Sequence, residues 1–222
     1  MPELTGLDRV YIWLTDAKAN LDTSHTTEMG SDSLFKINLI SSKGATAYNI
    51  QNLSPSNTTV YGSDSVAEHL VGTAAPTIEV GANDIPFEVS SLLMGMKADD
   101  TNGGYAMKGH ADQVLGGAIG VTHWGTDEAF ICFPFGLWTQ NGGVNLGTNQ
   151  QSPTVARDRF QLAAQARPTD DLLMQMYLSN QKGFSEDKML KYIINGYVGS
   201  NSESTKPAQP TSTDDKKNDP GK

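Results

Sequence analysis

The sequence predicts a mainly β protein of the α+β class, a β-sandwich or half-barrel packed by one helix and carrying extended loops. Apolar residues make up only 37% of the 222 residues and 22 residues are glycine, which favours a loop-rich β protein over a helical bundle. Before Gly183 only one stretch has persuasive helical periodicity, and strands and turns surround it. A single short amphipathic helix is unstable alone, so it must bury its apolar stripe against a sheet.

The predicted helix covers residues 84–96. Asp84 is a suitable N-cap, Pro86 is tolerated in the first turn, and Gly95 introduces the turn that ends the helix. Apolar side chains at helical spacing form one stripe, made of Ile85, Val89, Leu92, Leu93 and Met96. This stripe is the surface on which the sheet is expected to pack.

Strands are predicted wherever apolar residues alternate or run together between turn signals. In chain order they are Leu7–Leu14, Leu34–Ile40, Thr77–Val80, Tyr105–Lys108, Leu115–Trp124, Ala129–Leu137, Thr154–Ala166 and Leu172–Leu178. The first strand has bulk on both faces, because Arg9, Tyr11 and Trp13 alternate with aliphatic residues. An aromatic second face predicts that another element meets it.

Two neighbouring strands have special features. The glycines of Leu115–Trp124 indicate bends or close approach of another group to the backbone, and Thr126-Asp127 resembles a hairpin turn. Pro134 lies inside the most apolar strand, where proline cannot donate a ladder hydrogen bond. Pro134 therefore predicts either an edge position or a bulge.

Two polar excursions interrupt the pattern, at residues 16–32 and 41–76. In the second, Thr46–Ile50 and Thr58–Tyr61 are candidate short strands, and Ser63–Val71 is a candidate for one or two helical turns. Loops of this length are uncommon in compact domains and are usually functional.

The C-terminal part predicts one more helix and then a tail. The helix covers residues 185–197, with Ser185 as its cap, and its apolar stripe is Met189, Leu190, Ile193, Ile194 and Tyr197. Residues 200–222 are poor in apolar side chains and predict a disordered polar tail. The charges of this tail cancel, so the β domain at residues 1–199 carries the whole net charge of −9.

The sequence gives no positive sign of catalysis. The net charge of −9 argues against direct phosphate binding, which needs clustered lysine and arginine. Cys132 lies in an apolar run typical of a buried core thiol, and His25, His69, His110 and His123 show no metal-ligand spacing. We therefore predict that the protein is not an enzyme, that it has no catalytic, cofactor-binding or metal-binding residues, and that it uses no cofactor. The sequence also shows no N-terminal leader and no apolar run that could span a membrane.

The order of the central elements resembles the major tail (tail tube) proteins of long-tailed, siphovirus-type phages of Gram-positive bacteria. The resemblance covers roughly residues 5–180 and is carried by pattern. Its quoted segments are LLMGMKADDTNGGY, LGGAIGVTHW, EAFICFPFGLW and ARDRFQLAAQARPTDD, together with the opening Gly6-Leu7-Asp8-Arg9-Val10-Tyr11. In this family a helix ends near a Gly-x-Lys-x-Asp element, here at Gly95–Asp99, and a later strand ends in an aromatic-flanked glycine, here Gly136.

The resemblance implies a structural virion protein that self-assembles. Homohexameric rings would stack into a tail tube whose inner wall is one continuous β-barrel, closing every sheet edge by symmetry. Double-stranded DNA would pass through an acidic lumen without specific binding during genome ejection. Ring-to-ring contacts would come from the excursions at residues 16–32 and 41–76, and the polar tail would lie outside the tube.

The family resemblance also implies partners and a location. The partners would be other copies of this chain, the tape measure protein, the tail terminator and distal tail proteins. The protein would be made in the host cell cytoplasm and end in a long flexible virion tail, without membrane contact.

The alternative interpretation is a carbohydrate- or protein-binding β-sandwich module of a phage tail tip or a surface adhesin. Trp13, Trp124 and Trp138 could form a platform for sugars. All three lie on or beside predicted strands, however, where core or interface packing is the usual role of tryptophan. A small hydrolase is a third class, but no nucleophile or acid–base pair supports it.

Overall fold

The computed structural model describes residues 4–55, 57–63, 65–99, 101–109, 112–140 and 158–199. These residues form twelve strands and four helices. The strands are β1 Leu4–Thr15, β2 Phe35–Ile37, β3 Ala45–Gln51, β4 Asn57–Gly62, β5 Ser65–Val71, β6 Thr77–Ala82, β7 Lys97–Ala98, β8 Tyr105–Ala106, β9 Val114–Trp124, β10 Asp127–Gln140, β11 Asp158–Ala164 and β12 Gln175–Leu178. The helices are α1 Thr26–Met29, α2 Leu39–Ser42, α3 Phe87–Leu93 and α4 Glu186–Ile193. The predicted mainly β fold class is confirmed.

Eight strands form one antiparallel sheet with the order β2-β1-β9-β10-β11-β6-β3, and β12 pairs with β10 beside this path. The sheet curls, because β3 at one end approaches β1 near the other. Strand β10 shifts register between Phe133 and Gly136, on either side of Pro134. The bulge predicted as one of two roles for Pro134 is therefore confirmed, and it separates the part of β10 that pairs β12 from the part that pairs β11.

The first core lies on the concave face of this sheet. Strand β1 contributes Val10, Ile12 and Leu14, and β6 and β11 contribute residues from the opposite side of the curl. Helix α3 closes the core with Val89 and Leu93, which are almost completely buried. The predicted packing of one amphipathic stripe on a sheet is confirmed.

Helix α3 is shorter than the predicted range of 84–96. Pro86 has extended backbone angles and occupies the N-cap position, so the helix begins at Phe87. A residue before proline is disfavoured in helical conformation, which keeps Ile85 out of the helix. Asp84 instead forms an ion pair with Lys43 at 2.7 Å. After Leu93, Gly95 adopts a positive φ of 73° and turns the chain.

The second core lies on the convex face, between strands β1, β9 and β10 and helix α4. Tyr11 and Trp13 pack there with Phe130 and with Leu190 and Ile193 of α4. The prediction that another element meets the aromatic face of the first strand is confirmed. Helix α4 begins after Ser185 as predicted and ends at Ile193, four residues before the predicted end.

Several predicted elements are wrong in detail. Leu34–Ile40 is not one strand, because Asn38 and Ser41 form a capping box that ends the strand and starts α2. The helical turn predicted within Ser63–Val71 is wrong, because β5 pairs with β4 as a hairpin. Residues 41–76 are thus largely ordered strand, and β3 joins the main sheet.

Other boundaries shift by a few residues. The β9–β10 turn is Gly125-Thr126, one position before the predicted turn, because Trp124 pairs directly with Asp127. Tyr105–Lys108 and Leu172–Leu178 shorten to β8 and β12. Residues 16–32 contain α1 and are tied to the C-terminal segment by two hydrogen bonds. The Asn195 side-chain amide donates to the Asn20 side-chain oxygen at 2.6 Å, and the Leu21 backbone N–H donates to the Asn195 carbonyl at 2.8 Å. The start of the predicted strand at Thr154 and the predicted tail at 200–222 lie outside the described residues.

Close approach to the glycine-rich strand β9 is confirmed at Gly116, Gly117 and Gly120. A Cβ atom added to Gly117 would lie 2.3 Å from the indole ring of Trp13. One added to Gly120 would lie 2.4 Å from the ring of Tyr48, which reaches across the curl from β3. The Tyr48 hydroxyl donates to the carbonyl of Ile131 at 3.0 Å, so this side chain ties β3 to β10.

Gly120→Ala is expected to lower the free energy of unfolding by about 2 kcal/mol, because the added methyl group forces the Tyr48 ring out of its place. Gly109→Ala is the matched control, since no atom lies within 4 Å of its added Cβ. The control should leave stability unchanged or raise it by a few tenths of a kcal/mol. Urea unfolding of both variants measures the difference, and equal stabilities would contradict this account of the β3–β9 contact.

Candidate assembly surfaces

The titratable residues singled out in the sequence are dispersed. His25 lies 3.9 Å from Asp22 and 4.0 Å from Glu28, and His69 contacts Thr59 in the β4–β5 hairpin. Within the described ranges, no group of three or more histidine, cysteine, aspartate or glutamate side chains could hold a metal ion. His110 lies outside those ranges.

Cys132 is completely buried in the second core. Burial raises the pKa of its thiol well above the ordinary value. Its sulfur lies 4.0 Å from the sulfur of Met189, and no histidine is among the residues of this core. A protonated, enclosed thiol is a packing group, as the sequence predicted, and is unsuited to nucleophilic chemistry.

The tryptophans do not form a sugar platform. Trp13 and Trp138 are buried in the second and first core respectively, and only Trp124 is partly exposed. Two of the three rings proposed for carbohydrate stacking are therefore enclosed by protein.

The convex face of the sheet has two halves with different surroundings. Helix α4 covers the half formed by β1, β9 and the start of β10. In the described residues no element covers the other half, formed by β3, β6, β11 and the end of β10. Because the sheet curls, the covered and uncovered halves point away from each other. We call the uncovered half the open face.

The open face is polar and nearly neutral. Its register places Asn49 beside Glu79 and Glu79 beside Gln161, and Gln51 lies beside Thr77. Arg159 forms an ion pair with Glu79 at 2.8 Å. These two residues are the one cation and the one acid among the described side chains of the open face, so their charges offset each other. Side chains on the other face of the same strands, such as Val80 and Phe160, fill the first core. Alternation along the strands thus makes one face core and the other face a sheet surface without a cover.

The edge of the open face is a free strand. Strand β3 is the last strand of the sheet, and β6 is its one strand partner among the described residues. All seven of its residues are partly buried or exposed, and none is fully buried. An unpaired edge of this length presents backbone donors and acceptors to another chain.

The β4–β5 hairpin forms a second candidate surface. Its strands pair with each other in a separate two-stranded sheet. Cross-strand pairing puts Tyr61 beside Val66, while Val71 lies on the same face, and these side chains are 73%, 49% and 69% exposed. A two-stranded hairpin without a packed face is marginally stable in water, so the exposed apolar residues make the hairpin a candidate contact surface.

Helix α4 is fixed at its N-terminal end by a cluster around Arg9. The guanidinium of Arg9 donates to both carboxylate oxygens of Glu128, at 2.9 and 3.0 Å, and lies 3.4 Å from Glu186 of α4. Tyr11 donates to the other oxygen of Glu186 at 2.5 Å. The hydrogen bonds from Arg9 hold the pKa of Glu128 below its ordinary value, and burial raises the pKa of Tyr11.

Helix α4 is fixed at its C-terminal end by Arg167. This side chain is 5% exposed and donates to the carbonyls of Tyr192 and Ile193, both at 2.9 Å. It also forms a bidentate pair with Asp170, at 2.8 and 2.6 Å. A cation at the last helical carbonyls stabilises them directly and favours the helix dipole. The covered half of the convex face is therefore a fixed layer.

Acid should weaken the Arg9 cluster. The pKa of Glu128 is lowered in the folded state. The carboxylate therefore contributes to stability at pH values above the pKa that Glu128 has in the unfolded chain. This contribution is lost as pH falls through the folded value. The carboxylate is about one third exposed, which limits the contribution to less than about 1 kcal/mol. Urea unfolding between pH 7 and pH 3 should show this loss.

The Glu128→Gln variant should lack that part of the pH dependence. Arg9→Met should remove at least the same part, because Arg9 also pairs with Asp8 and Glu186, and the double variant should remove no more than Arg9→Met alone. An unchanged pH profile in both single variants would contradict this assignment.

The family model described as phage tail tube protein matches residues 3–202 of the 222 residues. The chain belongs to the phage tail tube protein family. Comparison with curated proteins and with solved structures found no match. The tail tube resemblance inferred from the sequence is confirmed, and the chain is a structural protein of the virion tail.

Membership of this family also bears on the other predictions. A structural tail role argues for a non-enzymatic protein that assembles with itself and with other tail proteins. None of the helices in the described part of the chain has the length and apolar character required to cross a bilayer.

Proposed function

We propose that this tail tube protein forms hexameric rings that stack into a hollow tube and that the open face lines its bore. The observation that carries the proposal is that the sheet has an uncovered polar face and that this face ends at a free edge, strand β3. A free edge is satisfied when it pairs with a strand of a neighbouring copy, and repetition around a ring closes every edge. The covered half, with α4, then faces outward.

The open face suits a conduit for double-stranded DNA. Most of its polar side chains are amides or hydroxyls, and its described residues contain no cluster of lysine or arginine. Its one cation, Arg159, is ion-paired with Glu79 at 2.8 Å. Tight DNA binding requires several lysine or arginine contacts to phosphates, which would arrest the moving duplex. The part of the bore formed by the open face is therefore proposed to be close to neutral, rather than strongly acidic as the net charge of −9 suggested.

Ring-to-ring contact is assigned to the β4–β5 hairpin. Its exposed Tyr61, Val66 and Val71 lie within the excursion at residues 41–76, which the sequence singled out for this role. The other excursion, at residues 16–32, is bound to the body of the same chain through Leu21 and Asn195. The hairpin is thus the segment with apolar surface left to bury on the next ring.

The remaining parts of the proposal follow from the family. The tube would contact a tape measure protein within its bore, a tail terminator at one end and distal tail proteins at the other. Synthesis in the cytoplasm of a Gram-positive host and incorporation into a long flexible tail complete the proposal. These parts are supported by the resemblance of the central segments quoted above.

Sedimentation velocity and electron microscopy across a concentration series test the proposal. The expected result is a cooperative transition from monomers to rings of six subunits and to stacked tubes. Addition of the tape measure and distal tail proteins should lower the concentration at which tubes appear, because a template removes the cost of nucleation. A monomer at all concentrations, with those proteins present, would contradict the proposal.

A further inference from the structure

The antiparallel order of the main sheet places its connections at two opposite ends. Every neighbouring pair of its strands is antiparallel, so the ends of β1 and β6 lie at the same end of the sheet as the start of β9. Helix α1 follows β1, α3 follows β6, and β7 and β8 precede β9. The β4–β5 hairpin connects the end of β3 to the start of β6, at the opposite end. We call the group of α1, α3, β7 and β8 the helical end.

The proposed ring fixes the direction in which these two ends face. Pairing of the β3 edge with a neighbouring copy extends the sheet around the ring, so its strands run along the tube at a tilt. The two ends of the sheet then face the two adjacent rings. Stacking of identical rings in one orientation therefore brings the hairpin of one ring to the helical end of the next ring.

The hairpin projects as an arm from its own chain. None of its residues belongs to either hydrophobic core. Its strands contain six and seven residues, which makes the arm about 20 Å long. Tyr61 lies one position before the last pair of the ladder, Gly62 and Ser65, and it is the most exposed aromatic side chain in the described residues, at 73%. An aromatic ring near the tip of an arm is placed to enter a second molecule.

The helical end contains a cavity of about 430 Å³, which we call the α1–α3 cavity. Its apolar lining includes Leu14, Leu92 and Val114. Tyr105 of β8 also lines it and packs edge-to-face against Phe87 of α3, with ring centroids 5.6 Å apart. Clefts of roughly 300–1,000 Å³ with apolar and aromatic linings are typical sites for small organic groups. The α1–α3 cavity therefore suits an aromatic ring.

One acceptor in this cavity lacks a hydrogen bond. Glu28 of α1 lines the cavity and is 23% exposed, and within the described residues its one ion-pair contact, to His25, is long at 4.0 Å. The other acids of the lining have closer partners. Asp112 pairs with Lys97 at 2.6 Å, and Asp22 accepts two hydrogen bonds within its own turn. A partly buried carboxylate without a hydrogen bond favours an incoming donor.

We propose that Tyr61 of one ring enters the α1–α3 cavity of a copy in the next ring and donates its hydroxyl hydrogen bond to Glu28. Tyrosine supplies an apolar ring for the lining and a donor for the carboxylate, and its hydroxyl usually has a partner when buried. The inference rests on the proposed function and deepens it, because it names the surface that receives the hairpin. A contact between opposite ends of one sheet is head-to-tail, so it continues from ring to ring along the tube.

A double-mutant cycle on tube formation tests the hydrogen bond. Tyr61→Phe removes one oxygen from an exposed side chain, so the variant should fold and form rings. It should raise the critical concentration for tubes roughly tenfold, because a hydrogen bond to a carboxylate is lost. Glu28→Ala should raise it by a similar factor. The double variant should raise it no further, since both substitutions remove the same bond.

Tyr192→Phe and Glu88→Ala are the matched controls. Tyr192 lies on α4 and is 52% exposed, and Glu88 is an exposed acid in the first turn of α3 that does not line the cavity. Both variants should form tubes at the same concentration as the wild type.

Disulfide trapping tests the placement of the hairpin. Val66 lies beside Tyr61, and Ala98 lines the cavity at an exposed position of β7. Mild oxidation of assembled Val66→Cys/Ala98→Cys should link copies of successive rings into a ladder of covalent multimers. Each single variant should stay monomeric, and Val66→Cys/Met176→Cys, with its second thiol on β12, should give no ladder. Cys132 is completely buried and does not take part.

The outcomes separate this inference from the proposed function. Wild-type tubes together with an unchanged critical concentration for Tyr61→Phe would overturn the inference alone. Additive effects of Tyr61→Phe and Glu28→Ala would also overturn it, because independent effects exclude a shared bond. Tubes of Val66→Cys/Ala98→Cys that give no ladder would overturn the placement of the hairpin. A wild-type chain that never assembles would overturn the inference and the proposed function together.

Discussion

Replacing Tyr61, Val66 and Val71 by serine is expected to abolish stacked tubes while the free chain stays folded. These side chains lie on one face of the β4–β5 hairpin and touch no core of their own chain. Surface substitutions of this kind change the free energy of unfolding by less than about 0.5 kcal/mol. If each subunit buries them on the next ring, their loss removes about 4 kcal/mol per subunit, or roughly a thousandfold in an association constant.

Electron microscopy and sedimentation distinguish the effects on stacking and on ring formation. The triple variant should give single rings, because the β3 edge is untouched. Met176→Ser, at an exposed position on β12, is the control and should form tubes of normal length. Normal tubes from the triple variant would show that the hairpin does not connect rings.

Arg167→Met is expected to lower the free energy of unfolding by about 3 kcal/mol. The substitution leaves the carbonyls of Tyr192 and Ile193 without their donor at a buried helix end, and it separates Asp170 from its cation. Methionine roughly keeps the volume of the side chain, so the effect reports lost hydrogen bonds and charge more than a cavity.

The matched control for Arg167 is Arg159. Its side chain is 53% exposed and forms one ion pair with Glu79. Arg159→Met should cost less than about 1 kcal/mol, because exposed ion pairs contribute little. Urea unfolding of both variants provides the comparison, and equal losses would contradict the role assigned to Arg167 at the end of α4.

Strong periodicity made part of the fold predictable. The alternation of Tyr11 and Trp13 with aliphatic residues predicted a second layer, and α4 supplies it. The stripe through Val89 and Leu93 predicted a helix on the sheet. Pro134 predicted an interruption, because its missing N–H cannot join a ladder. In each case the local pattern and the tertiary packing require the same arrangement.

Other elements depend on pairing that a local pattern does not contain. Val66 and Leu70 have helical spacing, but their strand is specified by its partner β4. The run from Leu34 to Ile40 looks like one strand, and the capping box of Asn38 and Ser41 instead ends it. The capping box could have been recognised from the Asn-x-x-Ser spacing at Asn38 and Ser41. The pairing of β5 with β4 could not be recognised from spacing.

The assembly surfaces were the least predictable part. The open face becomes visible only when the sheet is seen to curl and α4 is seen to cover one half of its convex side. The residues Asn49, Glu79 and Gln161 come from three different strands, and no sequence spacing brings them together. Family membership supplied the role, and the layer order supplied the orientation that we propose.

Cryo-electron microscopy of assembled tubes tests the central claim most directly. The account predicts a hollow bore lined by Asn49, Glu79, Arg159 and Gln161, with the β3 edge paired to a neighbouring copy and α4 on the outer wall. A tube whose bore is lined by α4, or whose β3 edge remains unpaired, would contradict it.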